Sequence, residues 1–309
     1  MKIAFLYAGQ GSQKVGMGKD IYENNKTFKS VIDSIDVNVN VKKLMFEGPM
    51  NELSKTKNTQ PCMAAFAAGV TDVLKENGII PDVVAGLSLG EYSALYCSEV
   101  FDVNTFIKLV AYRGKVMEEA AEGIKCKMSA VLGIESHVLG DICNSISTDG
   151  HYVTVSNYNC KGQYVICGDE SAVEEAEDRA KEAGAKRCIP LKVSGPFHTS
   201  FMKPAGEALD FYFDSVNFND MKIPVLFNTT ADFIGENERI RDILVKQVQS
   251  SIYMENIIEK LEKFGIDTVI EIGPGKALSG FVKKTAPSIT TYNIEDIVGL
   301  NNIIERFGE

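Results

Sequence analysis

Gly86-Leu87-Ser88-Leu89-Gly90 is the stretch of this chain best suited to covalent chemistry. A Gly-x-Ser-x-Gly pentapeptide acts as a nucleophile elbow when a strand precedes it and a helix follows. Both are expected here. Residues 79–85 form a short β-branched apolar run that fits a buried parallel strand. Residues 91–98 are helix-compatible and carry Glu91 in the first turn, where the helix dipole favours an acid. So tight a turn tolerates only glycine beside the serine. It leaves the Ser88 hydroxyl exposed at the strand's carboxyl end and aims the Leu89 amide into the same space, ready for an oxyanion. An ordinary Gly-Ser turn is the alternative for the pentapeptide taken alone.

A serine nucleophile needs a base, and the chain has three histidines. His137 falls in a polar helix and His151 beside Asp149-Gly150 in a turn, placements typical of the surface. His198 follows Gly195-Pro196-Phe197 in a stiff loop at the end of a strand, where active-site bases usually sit. His198 is therefore the candidate base. Arg113 stands among apolar residues in the segment 109–117, which is unusual for a cation without a partner. A snorkelling surface arginine is the alternative.

The glycine-rich loop 9–19 invites two nucleotide readings, and both fail on spacing. A dinucleotide fingerprint starting at Gly9 needs glycine where Lys14 stands. A Walker A loop ending at Gly18-Lys19 needs glycine where Gln13 stands and a hydroxyl where Asp20 stands. What is left is a flexible turn or a loop whose backbone approaches something closely.

These groups need a scaffold, and the pattern is α/β. Residues 2–7 read as a first strand, and Thr59 caps a small-residue helix with Pro61 in its first turn, running to Leu74 and ended by Gly78. Residues 103–121 read as an amphipathic helix. From about Glu122 the units shorten: strand 128–133, helix 135–147, strands 152–157 and 163–167, helix 172–183, strand 187–193. That βαββαβ order is ferredoxin-like. The expected architecture is a large α/β-hydrolase-like domain with a parallel sheet, from residues 1–122 and 194–309, interrupted by a small ferredoxin-like subdomain at 123–193. Further on, a strand at 223–228, a helix at 238–249, a strand at 268–271 leading into Gly273-Pro274-Gly275-Lys276 and a last helix at 298–307 are expected. The Gly-Pro-Gly turn is a second strand-to-helix junction like the elbow.

Composition bounds the function. Of 309 residues, 45% are apolar and 24% charged, ordinary for a globular protein with a large core. The net charge of −10 argues against nucleic acid as partner. No apolar run is long enough to span a bilayer, and the N-terminal run is short for a signal peptide. Seven scattered cysteines without a Cys-x-x-Cys pair suit reduced thiols in a cytoplasm better than disulfides or zinc.

Taken together, the motifs resemble those of the malonyl-CoA:acyl-carrier-protein transacylases, the acyltransferase family shared by bacterial fatty-acid synthesis and polyketide synthases. Five carry the resemblance, in order: Gly-Gln-Gly-Ser-Gln (9–13), Gly-Leu-Ser-Leu-Gly-Glu-Tyr (86–92), Arg-Gly-x-x-Met (113–117), Gly-Pro-Phe-His (195–198) and Gly-Pro-Gly (273–275). The resemblance implies that Ser88 is acylated and that His198 is its base. It implies that the side-chain carbonyl of Gln247 orients the imidazole, and that the amides of Gln10 and Leu89 form the oxyanion hole. Arg113 would pair with the free carboxylate of a malonyl group, with Met117, Phe197 and Asn159 lining the acyl site and Gln163 beside it. Phe197 would crowd an α-methyl group. The implied substrates are malonyl-CoA and a holo acyl carrier protein, with no metal or redox cofactor, in a cytoplasmic and monomeric enzyme. Carrier proteins are acidic, so Lys181, Lys186, Arg187, Lys192 and Lys203 around the His198 loop are expected to help docking. Two positions depart from the family's habit: Ala8 stands where proline is common and Met254 where tryptophan is common. The competing readings are a stand-alone acyltransferase of a polyketide pathway, an α/β-hydrolase esterase, whose histidine comes late in the chain, and a carrier-binding pseudo-enzyme, which should lack a catalytic group.

Overall fold

A computed structural model describes residues 1–191 and 195–308. The ends of two expectations, the strand reaching Val193 and the docking residue Lys192, lie outside the described residues. Within them the strands are β1 (Ile3–Tyr7), β2 (Val83–Gly86), β3 (Lys127–Leu132), β4 (Val153–Cys160), β5 (Gln163–Gly168), β6 (Arg187–Pro190), β7 (Ile252–Tyr253), β8 (Thr268–Ile272) and β9 (Thr290–Ile294). They build two sheets in a mixed α/β fold.

The first sheet, ordered β2-β1-β8-β9, is parallel throughout. β1, β2 and β8 are buried at every position and nearly all apolar because both faces are covered, whereas the edge strand β9 is half exposed. On β1, Phe5 and Tyr7 face one core and Ala4 and Leu6 the other. The first core is filled by helix Thr56–Glu76, buried on all sides from Thr59 to Thr71 and packed against helix Val103–Ala121. The second lies under helices Met254–Lys263 and Ala277–Thr285. The second sheet, ordered β6-β3-β5-β4-β7, is antiparallel except for β7, which joins β4 in parallel. One face packs on helices Ser136–Ile146 and Glu170–Glu182. On the other, Met128, Val165 and Leu191 turn toward the first sheet's carboxyl edge.

Several boundaries differ from the sequence reading. Helix Thr56–Glu76 starts three residues before Thr59, which is no cap: its hydroxyl donates to the Leu53 carbonyl from inside the helix. Pro61 therefore sits in the second turn. Gly78, at φ 72°, does end the helix region. The expected strand at 223–228 is an extended segment with a single parallel bridge, Val225 to Val84. Pro224 has no N–H to continue a ladder. β9 was not anticipated, nor were the short helices between Lys19 and Leu53 or helix Lys203–Phe213. Among the described residues no helix is long and apolar enough to cross a membrane.

Candidate active site

The elbow forms because two backbones approach too closely for any side chain. A Cβ on Gly86 would lie 2.1 Å from the Gly90 carbonyl carbon, and one on Gly90 2.1 Å from the Tyr7 carbonyl oxygen. Between them Ser88 adopts φ 53°, ψ −100°, a conformation that a non-glycine residue keeps only when its surroundings enforce it. Helix Leu89–Cys97 begins at the next residue. Strand, strained serine, helix is the geometry that leaves a hydroxyl exposed.

His198 meets that hydroxyl. Its Nε2 is 2.7 Å from Ser88 Oγ, and its Nδ1 is 2.9 Å from the main-chain carbonyl of Gln247. A carbonyl can only accept, so Nδ1 carries the proton and Nε2 is free to take one from serine. Burial, with the nearby Arg113 charge, pushes the His198 pKa down to about 4, so the imidazole is neutral near pH 7. The expectation that the Gln247 side chain orients the imidazole is corrected: its main chain does. The side chain is taken up elsewhere. Its Oε1 accepts from Arg113 Nη2 at 2.9 Å and its Nε2 donates to the Ser88 carbonyl at 2.8 Å.

Arg113 is fully buried, yet among the described residues no carboxylate forms an ion pair with it. Its partners are neutral oxygens: Gln60 Oε1 at 2.8 Å, Gln247 Oε1 at 2.9 Å and Ser88 Oγ at 3.1 Å. Nε has no partner among the described residues, and the guanidinium lies over the Tyr92 ring, 5.0 Å from its centroid. Burial pulls its pKa down from the usual arginine value, with Tyr92 and Glu91 opposing. An uncompensated buried cation is costly, and an anionic ligand would relieve it.

The Gln10 and Leu89 amides are the expected oxyanion donors. As the first residue of its helix, Leu89 has an N–H without an intrahelical acceptor. Among the described residues neither amide is engaged by a main-chain carbonyl. Gly9 lets the first loop close on the elbow, since a Cβ there would stand 2.6 Å from the Leu87 carbonyl oxygen. A cleft of about 450 Å³ opens over Ser88 between the two sheets. Gln10, Met117, Asn159 and Phe197 line it with Ser88, Arg113 and His198. Gln163 does not: its Oε1 is bound by Lys284 Nζ at 3.1 Å. Of the basic residues expected near the mouth, Lys181 pairs with Asp178 and Lys203 with Glu207, while exposed Arg187 opens β6, the strand that runs toward Leu191 at the cleft. Among the described residues no cluster of three His, Cys, Asp or Glu is placed to hold a metal.

The acyl transferase domain family matches this chain over residues 4–302. The chain belongs to that family. It is 42% identical over 297 residues to the malonyl CoA-acyl carrier protein transacylase of Bacillus subtilis strain 168, covering 96% of this chain and 94% of that one. The crystal structure of MCAT from Streptococcus pneumoniae matches with a TM-score of 0.94 at 41% identity, covering 99% of this chain and 100% of that one. PlMCAT:AntF (holo), a type II PKS acyl-carrier protein in complex with its malonyl-transacylase, gives a TM-score of 0.92 at 34% identity, covering 99% and 100%.

Against this acyl transferase background, three buried residues that the sequence did not single out stand out. Gln60 closes a polar run, Thr56 to Gln60, and nothing in its sequence context sets it apart. Glu91, by sequence a helix-dipole acid, is fully buried and accepts from the Asn228 main chain and from Gln247 Nε2 at 3.2 Å. Burial pushes its carboxyl up to about 8, while those N–H groups and Arg113 pull it back. Asn228 gave no signal at all.

Proposed function

We propose that this chain transfers the malonyl group of malonyl-CoA to the phosphopantetheine thiol of holo acyl carrier protein through a malonyl-Ser88 ester, supplying extender units for fatty-acid biosynthesis. The single observation that carries the reading is Arg113: a buried cation held by neutral oxygens, 3.1 Å from the candidate nucleophile. A planar guanidinium binds a carboxylate through two parallel hydrogen bonds, each worth roughly 1.5–3 kcal/mol. Acetyl-CoA offers no such group.

Ser88 Oγ attacks the thioester carbonyl as its proton passes to His198 Nε2. The oxyanion forms against the Gln10 and Leu89 amides. The tetrahedral intermediate collapses by breaking the C–S bond, and coenzyme A leaves with the proton from His198. The carrier's thiol then gives its proton to the same nitrogen and attacks the malonyl ester; the acyl C–O bond breaks, and His198 returns the proton to Ser88 Oγ. Side chains and amides suffice for each step. Phe197, beside the nucleophile in the cleft, is read as disfavouring an α-methyl group.

We also read the parallel-sheet part, residues 1–122 and 194–309, as an α/β-hydrolase-like domain and residues 123–193 as a ferredoxin-like insert. The βαββαβ order and the β6-β3-β5-β4 neighbours support this. Seven free cysteines support a reducing, cytoplasmic setting. A polyketide carrier as acceptor is the second reading, favoured by the likeness to PlMCAT:AntF.

Initial rates of carrier malonylation at several fixed carrier concentrations test the proposal. Parallel double-reciprocal lines are expected, with the fatty-acid carrier preferred over a polyketide carrier. Intersecting lines would contradict a covalent intermediate, and malonate released to water without a charged carrier would mark an esterase.

A further inference from the structure

Ser88 cannot hold φ 53° by itself, and the source of the restraint lies 140 residues away. Beside β2 the segment around Val225 begins a parallel ladder: Val84 N–H donates to the Pro224 carbonyl at 2.9 Å, and Leu226 N–H to the Val84 carbonyl at 3.0 Å. Continued two bonds further, such a ladder would send the Asn228 N–H to the Gly86 carbonyl. That rung is made by the side chain instead. Asn228 Nδ2 donates to the Gly86 carbonyl at 2.7 Å, and Oδ1 accepts the Ser88 N–H at 2.7 Å. One planar amide thus grips the turn on both sides of Leu87. The main chain released by the exchange is also fixed, its N–H on Glu91 Oε2 and its carbonyl taking the Tyr253 N–H at 2.9 Å. Glu91 belongs to the elbow's own helix, so the brace closes on itself. Asn228 and Glu91 are both completely buried.

We propose that Asn228, anchored by Glu91, is a positioning residue that holds the strained turn so that Ser88 Oγ meets His198 and Arg113 together. This rests on reading Ser88 as the nucleophile. Only an amide supplies an acceptor for the Ser88 N–H and a donor for the Gly86 carbonyl from one fork. Aspartate keeps the acceptor and loses the donor; leucine, of similar volume, loses both. Asn228 does not touch Arg113, and Glu91 reaches it only through Gln247. Losing the Asn228 amide therefore slows the nucleophile for every acyl group, while Gln60 and Gln247 keep their hold on Arg113 and with it the acyl selectivity.

The test measures single-turnover acylation of folded protein by malonyl-CoA and by acetyl-CoA, together with labelling of Ser88 by a fluorophosphonate probe. A displacement of about 1 Å costs on the order of a hundredfold in rate, so N228L is expected to lose about that factor with all three reagents. Its malonyl-to-acetyl ratio should stay within about threefold of wild type, and N228D and E91Q should fall between. A brace that served stability alone would lower the melting temperature and leave these rates unchanged. N228L acylating at the wild-type rate overturns the proposal, as does a loss confined to malonyl-CoA. Should N228L fail to fold, N228D is read in its place, and a wild-type rate there overturns it equally. The two levels of inference separate cleanly. A wild-type chain labelled by the probe and refused by malonyl-CoA defeats the malonyl reading and leaves the brace to be judged on the other two reagents. A wild-type chain that the probe leaves unlabelled defeats both.

Discussion

Among the strand-to-helix junctions at the carboxyl edge of the parallel sheet, those after β2 and after β8 place the left-handed backbone on different kinds of residue. In the junction after β8, Gly273 and Gly275 take up the left-handed backbone, at φ 143° and 84°, so no side chain is strained. Glu271 then caps its own following helix, accepting the N–H groups of Leu278 and Ser279 at 3.0 and 2.8 Å. In the junction after β2, the glycines serve space: Gly86 and Gly90 sit where a Cβ would collide with backbone. The left-handed conformation falls on Ser88 itself. The restraint comes from distant segments, through Asn228 and Gln247. The junction after β8 is also bound from outside, by Ile294 and Glu295, but its left-handed backbone falls on glycines and is relaxed by them. A turn that presents a nucleophile carries strain, and the tertiary structure holds it.

The comparison can be broken most severely at Gly90. With a Cβ 2.1 Å from the Tyr7 carbonyl oxygen, Gly90→Ala should cost roughly 3 kcal/mol or more and leave little folded protein, as thermal melts would show. Removing the base acts on rate alone. His198→Ala should slow acylation about a thousandfold with the fold intact. In the wild-type chain the base is neutral above its pKa, which burial has lowered from 6.5 to about 4. Acylation should therefore hold steady as the pH falls through 6.5 and drop only near 4; a limb at 6.5 would show that the imidazole is not buried as described. Arg113→Ala should reduce acylation by malonyl-CoA about a hundredfold, at 1.4 kcal/mol per tenfold, and barely change acylation by acetyl-CoA. Equal losses with both would make Arg113 part of the nucleophile's support rather than of acyl recognition. The smallest effect belongs to the relaxed junction. Gly275→Ala meets nothing within 4 Å, so only its φ of 84° is penalised, by about 1–2 kcal/mol. Its melting temperature should fall a few degrees while the rate per folded molecule is unchanged.

What the sequence made legible follows from where the information sits. Ser88, His198 and Arg113 are conspicuous because side-chain chemistry and local context coincide: a pentapeptide between strand and helix, a histidine after Gly-Pro, a cation in an apolar helix. Gln247 was half legible, since the carbonyl that orients His198 belongs to the main chain and leaves no trace in residue type. Asn228 was hidden for a related reason. It lies at the end of an apolar run that reads as a strand, and only the third dimension puts its amide where a ladder rung should be. Thr59 looked like a cap because Pro61 follows it. The helix begins earlier because residues 56–58 join its first turn without a side-chain cap. Helix Lys203–Phe213 was within reach: Pro204 opens it, and Ala205, Leu209 and Phe213 are spaced along one face. β9 was not, being short and half exposed at a sheet edge.

Intact-protein mass spectrometry after brief mixing with malonyl-CoA tests the central claim most directly, with Ser88→Ala and acetyl-CoA in parallel and a chase with holo acyl carrier protein. One malonyl adduct, mapped to Ser88, absent from the variant, far weaker with acetyl-CoA and discharged onto the carrier, is the predicted result. A wild-type chain that gains no mass from malonyl-CoA, or gains it equally in Ser88→Ala, would contradict the account.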